Sequence, residues 1–226
     1  MYFDFSERTE LIIDADKLKG KTAAVFGLGG VGSYVAEALV RAGIGHIIIC
    51  DNDYISKSNI NRQLLALHST VGRTKVGVAI ERYLDINDRL DIHAFDTFIL
   101  PENAAAFFDG LMIKPDFVAD CIDTVSGKLA IIEECRKRGI EMISCMGTGN
   151  KLCPEMFKIT DISKTSVCPL CRVMRRELKA RGVEKLTVLY SEEQPKAAGE
   201  VIGSISTVPS VAGLMIANHI IKELVK

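Results

Sequence analysis

Two cations, two amides and a carboxylate stand close to a glycine-rich loop. Asn59, Arg62, Gln63 and Lys75 follow Asp51 in the stretch DNDYISKSNINRQLLALHSTVGRTK, and Asp123 ends the apolar run FVADCID. Near a triphosphate, the four basic and amide groups can neutralise charge that grows on the phosphates during attack at the α-phosphorus. That is electrostatic stabilisation of a nucleotidyl-transfer state. A carboxylate such as Asp123, at the carboxyl edge of an open α/β sheet, can hold a magnesium ion against the same phosphates.

The loop itself reads GLGGVGS, with Gly27, Gly29 and Gly32 in Gly-x-Gly-x-x-Gly spacing. Gly27 permits the tight turn, Gly29 lets the backbone approach phosphate, and Gly32 lets the following helix pack closely. The helix N-terminus then offers N–H groups to an anion. Asp51, at the end of the second apolar run, suits a ribose hydroxyl. Gly30 and Asp53, within the same two segments, complete the expected nucleotide-contacting set. The loop alone fits a nicotinamide dinucleotide as well as ATP. The residues after Asp51 separate the two readings, because a dehydrogenase has no use for Arg62 with Lys75. Nor is an acid–base histidine evident. His46, His93 and His219 fall in strand or helix patterns, and His68 alone lies near the phosphate stretch. A non-enzymatic, adenylation-like scaffold is a further reading, against which the complete polar set speaks.

These groups need a frame. TAAVFG (22–27), HIIICD (46–51), residues 91–96, DFVADCID (116–123) and IEMISCMG (140–147) read as strands. Helical patterns over 31–42, 75–87, 101–110 and 126–138 separate them. This alternation predicts a doubly wound, mainly parallel α/β sheet through about residue 147. A less regular C-terminal extension follows: a polar segment 148–166, a basic helix 169–181, a strand 186–191 and a final helix 208–225. With no internal repeat and no low-complexity linker, residues 1–226 read as a single domain, its nucleotide-binding core at about 20–147 and its substrate side at about 148–226.

GLGGVGS, DNDYISKSNINRQ, VGRTKV and DCIDTVSGK together resemble the motifs of the ubiquitin-activating-enzyme-like adenylating superfamily, whose ThiF/MoeB-like members activate sulfur carriers. The resemblance implies a Rossmann-like fold and ATP as nucleotide. By it, Asp51 binds the ribose, Asn59, Arg62, Gln63 and Lys75 surround the phosphates, and Asp123 binds magnesium. It also makes Arg8, in FSERTELI, the candidate arginine that reaches the ATP of a partner subunit, which requires a homodimer.

The sulfur-carrier activators carry two Cys-x-x-Cys pairs for structural zinc. This chain has one, Cys168 and Cys171 in CPLC, so zinc is not expected, four ligands being the rule. Two reduced thiols at a helix start, with a redox role as the minor option, are the simpler reading. CPLCRVMRRELKARG, with LPEN (100–103), GTGNKLCPEMFKITDISKT and GSISTVPSVAGLMIANHII, is similar to the branch that acts on transfer RNA, the threonylcarbamoyladenosine dehydratases. That likeness implies adenylation of a substrate carboxylate by ATP, then intramolecular capture with net loss of water. No catalytic cysteine is demanded. Independently, Arg172, Arg175, Arg176 and Lys179 fall at i, i+3, i+4 and i+7 on one helix face. They form a stripe that can pair with RNA phosphates. Activation of a sulfur-carrier or ubiquitin-like protein remains the alternative. A sulfur-transfer protein is a further candidate partner, and a monovalent cation a further candidate ligand.

Charge balance fits a local rather than global basic surface: 28 Lys+Arg face 29 Asp+Glu among 226 residues. The N-terminal MYFDFSERTELII lacks a basic segment followed by an apolar core, and no apolar run approaches membrane-helix length. Seven scattered cysteines suit reduced thiols. Together these predict a cytoplasmic protein without a membrane partner.

Overall fold

The computed structural model describes residues 7–196 and 202–226. The first six residues of the N-terminal stretch read above lie outside that range. Among the described residues, a seven-stranded sheet runs in the order β3-β2-β1-β4-β5-β7-β6. Its strands are β1 (Thr22–Phe26), β2 (His46–Cys50), β3 (Asp91–Phe95), β4 (Phe117–Asp120), β5 (Glu141–Cys145), β6 (Phe157–Asp161) and β7 (Thr187–Ser191). All neighbours pair in parallel except β6 with β7. The class is α/β, Rossmann-like and doubly wound, as read.

Both faces of the sheet are covered, which explains the continuous apolar runs. Alternate residues of β1 and β2 separate cleanly by face. Ala23, Val25, Ile47 and Ile49 pack with α3 (Gly32–Ala42), α4 (Lys75–Ile86) and α8 (Thr207–Leu224). Ala24, Phe26, Ile48 and Cys50 pack with α5 (Pro101–Asp109) and α6 (Val125–Arg138). A third cluster joins α6 to α7 (Pro169–Ala180) through Leu129, Ile132, Met174 and Leu178.

The structure departs from the sequence reading in three places. Residues 148–166, read as an irregular polar segment, contain β6. Its Phe157 and Ile159 turn inward while Lys158 is exposed, a short period-2 pattern inside polar flanks. Strand β4 stops at Asp120, so Asp123 stands on the loop beyond it rather than on the strand. Two short helices, α1 (Glu7–Glu10) and α2 (Ala15–Lys19), precede β1 without having been predicted. No helix among the described residues is long and apolar enough to cross a membrane.

Candidate active site

Strand order reverses between β1 and β4, whose outer neighbours run to opposite sides of the sheet. In an open parallel sheet a crevice forms outside the carboxyl ends at such a point. A cavity of about 450 Å³ lies there, lined from the loops after β1, β2, β3, β4 and β5.

The glycine loop forms its floor. Gly27 sits at φ 87°, a conformation that L side chains rarely adopt, and a Cβ there would meet the Cys121 carbonyl oxygen at 2.9 Å. Gly32 packs against the same turn: a Cβ on it would lie 1.7 Å from the Gly27 carbonyl oxygen. Gly32 is therefore a packing residue, and unlike Gly27, Gly29 and Gly30 it does not line the cavity. At Gly29 the added carbon would meet only Gln63 Nε2, at 3.8 Å. The loop thus leaves room for an anion beside the N-terminus of α3.

Asp51 and Asp53 reach the cavity from the end of β2. Asp51 is buried. Its Oδ2 accepts the Leu28 N–H at 2.6 Å, and its Oδ1 accepts the Asp53 N–H at 2.8 Å. These bonds lock the β2 turn onto the glycine loop. The Lys75 ammonium, only 4% exposed, donates to Asp53 Oδ2 at 2.7 Å and approaches Asp51 Oδ2 at 3.3 Å. An ammonium carries three donors, so one is left for a ligand.

Asn59, Arg62 and Gln63 form a further wall. Asn59 closes a 3-10 turn and accepts the Ser56 N–H at 3.0 Å. The Arg62 guanidinium is held by Ser58 O and Asn61 Oδ1, each at 2.9 Å, with the side chain lining the cavity. Gln63 lines it too, and its Oε1 is buried with no hydrogen-bond partner among the described residues. Such orphaned polar atoms are rare in folded proteins. An open glycine floor and two cations make a cavity that fits a polyphosphate, while the Gln63 oxygen, an acceptor, suits a donor group of a ligand. Asp123, exposed, lines the same cavity from the far side. No cluster of three or more His, Cys, Asp or Glu that could hold a metal occurs among the described residues. A magnesium ion bound mostly through phosphate and water needs only one or two carboxylates.

The thiols in this wall are poor nucleophiles. Burial pushes Cys50 up to about 12 and Cys121 well above its ordinary range.

Other predicted residues lie elsewhere. Arg8 is exposed on α1 and does not line the cavity, and neither does His68. On α7 the basic stripe is uneven. Arg175 is tied to the Thr165 carbonyl oxygen at 3.0 Å and to its hydroxyl. Arg176 pairs with Glu177 at 2.9 Å. Arg172 and Lys179 are exposed, and neither side chain has a protein partner among the described residues. At the start of α7, Cys168 and Cys171 are both buried. The Cys171 thiol and the backbone N–H groups of Cys171, Gly147 and Leu170 bring Cys168 down to about 5 against its burial, while Cys171 is pushed up.

Sequence reasoning missed Thr97, Phe98, Ile99, Thr148, Ser204 and Pro209, which also line the cavity. The first four follow predicted strand ends, and the carboxyl-end rule could have found them. Ser204 and Pro209 arrive from the C-terminal part, Ser204 through a bond from Asn61 Nδ2 at 2.9 Å. No local signal marks them.

Residues 8–226 match the ThiF family. The tRNA threonylcarbamoyladenosine dehydratase of Bacillus subtilis (strain 168) is 40% identical, over 100% of this chain and 96% of its own length. The Escherichia coli (strain K12) protein of the same name is 38% identical over 69% of this chain and 57% of its own. A crystal structure of E. coli tRNA N6-threonylcarbamoyladenosine dehydratase in complex with ATP superposes with a TM-score of 0.87 at 31% identity. It covers 96% of this chain and 89% of that one.

Proposed function

Because the chain belongs to the ThiF family, we propose that it uses ATP to dehydrate threonylcarbamoyladenosine in transfer RNA. The carrying observation is the convergence of Arg62, Lys75, Asp51, Gln63 and Asp123 on one cavity at the switch point. The full-length B. subtilis relative and the ATP complex of the E. coli enzyme support the same reading.

The threonyl carboxylate is a poor electrophile, since its leaving group would be oxide. Its oxygen attacks the α-phosphorus of ATP, forming an acyl-phosphate bond and releasing pyrophosphate. A nucleophilic atom of the same substrate then attacks the acyl carbon, closing a ring and releasing AMP. Substrate atoms already held close give this step a high effective molarity, so no enzyme nucleophile is needed. That agrees with the protonated cavity thiols. Gly27, Gly29 and Gly30 cradle the phosphates with the α3 N-terminus, and Asp51 holds the ribose. Arg62, Lys75, Asn59 and Gln63 stabilise charge on the phosphates in the transition state. A magnesium ion held by Asp123 would offset further phosphate charge.

Arg8 lies outside the cavity of its own chain and belongs to the site of a partner copy, making the enzyme a homodimer. Transfer RNA phosphates meet the outward Arg172 and Lys179, with Arg176 at the edge of the stripe and Arg175 fixing α7 to residue 165. We place the enzyme in the cytoplasm, with residues 1–226 as one adenylating domain.

The test is incubation with ATP, magnesium and bulk transfer RNA, followed by nucleoside mass analysis. Loss of one water from the threonylcarbamoyl nucleoside is expected. An unchanged profile, with pyrophosphate exchange only when a Gly-Gly-ended carrier protein is added, overturns the reading in favour of carrier activation. Arg62→Ala and Asp123→Ala should each abolish AMP release, and full activity in either removes that residue's role.

A further inference from the structure

Lys128 is entirely buried, and no step above uses it. It sits on α6, beneath the loops that form one end of the cavity. Its Nζ donates to Asp120 Oδ2 at 3.1 Å, to Ser144 Oγ at 3.3 Å and to the Cys145 carbonyl oxygen at 2.7 Å. All three donors are therefore used. Ser144 and Asp120 are register partners on β5 and β4, both fully buried, and the Ser144 hydroxyl donates to the same Asp120 oxygen at 2.5 Å. The other carboxylate oxygen, Oδ1, accepts the Ile122 N–H at 3.3 Å.

One ammonium thus ties together the carboxyl ends of two adjacent strands. On the β4 side the chain continues through Ile122 to Asp123. On the β5 side it continues from Cys145 to Thr148. Ile122, Asp123 and Thr148 all line the cavity. Burying a charge pair is costly, and apolar groups of similar volume often serve stability as well or better. A methionine could fill the space of Lys128. It could not donate to Cys145, nor hold Asp120 against the Ile122 N–H.

Resting on the function proposed above, we propose that Lys128, with Asp120 and Ser144, is a positioning residue of the adenylation site. The buried network fixes the facing loops that carry Asp123 and Thr148, so that the substrate carboxylate and the α-phosphorus meet in reactive geometry. The glycine loop, Asp51 and Lys75 lie on other elements and bind ATP without it.

The experiment uses full-length Lys128→Met, the double variant Lys128→Met/Asp120→Asn and Ser144→Ala, each checked for folding by thermal melting. The double variant avoids stranding a buried carboxylate, and Ser144→Ala keeps both charges. Equilibrium ATP binding and single-turnover AMP release with threonylcarbamoyladenosine-containing transfer RNA are measured side by side. Folded variants that lose the ammonium should release AMP about 10²-fold more slowly, as expected for a small misplacement of reacting groups, while ATP affinity stays at the wild-type value. Ser144→Ala should show the same split to a smaller degree. Wild-type turnover in the folded variants overturns the proposal. So does a loss of ATP affinity in step with the rate, the mark of general loosening. A wild-type protein that binds ATP but releases no AMP with this RNA overturns the functional reading instead.

Discussion

At the residue scale, two glycines of one motif have different tasks. A Cβ at Gly32 would drive into the Gly27 carbonyl at 1.7 Å, whereas one at Gly29 meets nothing closer than 3.8 Å. Gly32→Ala should therefore cost stability, about 3 kcal/mol or more, because backbone cannot yield as a flexible side chain does. Gly29→Ala should melt like the wild type yet lose ATP affinity, since its methyl group occupies the space a phosphate needs. Thermal melting and equilibrium ATP binding check both. Normal ATP binding by Gly29→Ala would show that the phosphates do not lie on this loop. The motif and its division into a packing glycine and a cavity-facing glycine were both readable from spacing; the particular atoms that enforce the division were not. That division depends on which neighbouring atoms each Cα faces.

At the element scale, α7 combines a readable pattern with an unreadable environment. Its basic face was evident at helical spacing. That Arg175 is withdrawn by Thr165 follows from how residues 162–165 pack beneath the helix. The Cys168 thiol, brought down to about 5 from an ordinary 9.0, makes the element's stability depend on pH. Between these values the unfolded chain binds the proton that the folded chain has released. The contribution of Cys168 is therefore fully present above pH 9.0 and is lost as pH falls through about 5. In urea denaturation, wild type should gain stability from pH 5 towards neutrality more steeply than Cys168→Ser. An ultraviolet thiolate signal titrating in that range should vanish in the variant. Equal slopes for the two proteins would refute a folded-state thiolate. Strand β6 teaches a related lesson: Phe157 is buried, Lys158 exposed and the remaining three residues half-buried, too weak a pattern to stand out among polar flanks.

At the scale of the whole molecule, the place of Arg8 in a partner's site is testable by subunit mixing. It lies on α1, away from the cavity of its own chain. If it serves a partner's site, Arg8→Ala and Arg62→Ala should each be inactive alone. Mixing them under subunit exchange should restore activity, because a heterodimer then holds one site with both arginines. Sedimentation should show a dimer. A mixture that stays inactive although subunits exchange removes Arg8 from the partner's site.

Local sequence specified the parallel core, the glycine loop and the charged set near it. Those features rest on local periodicity and short spacing, where chain connectivity already limits geometry. Asn59 to Lys75 must fall near the loop because they directly follow the second strand. Tertiary structure decided the rest. It alone brought Ser204 and Pro209 to the cavity, left Gln63 Oε1 without a partner among the described residues and buried Lys128 between two strand ends. Contacts across a sheet or a crossover join residues far apart in sequence, and no local pattern encodes which of them will meet.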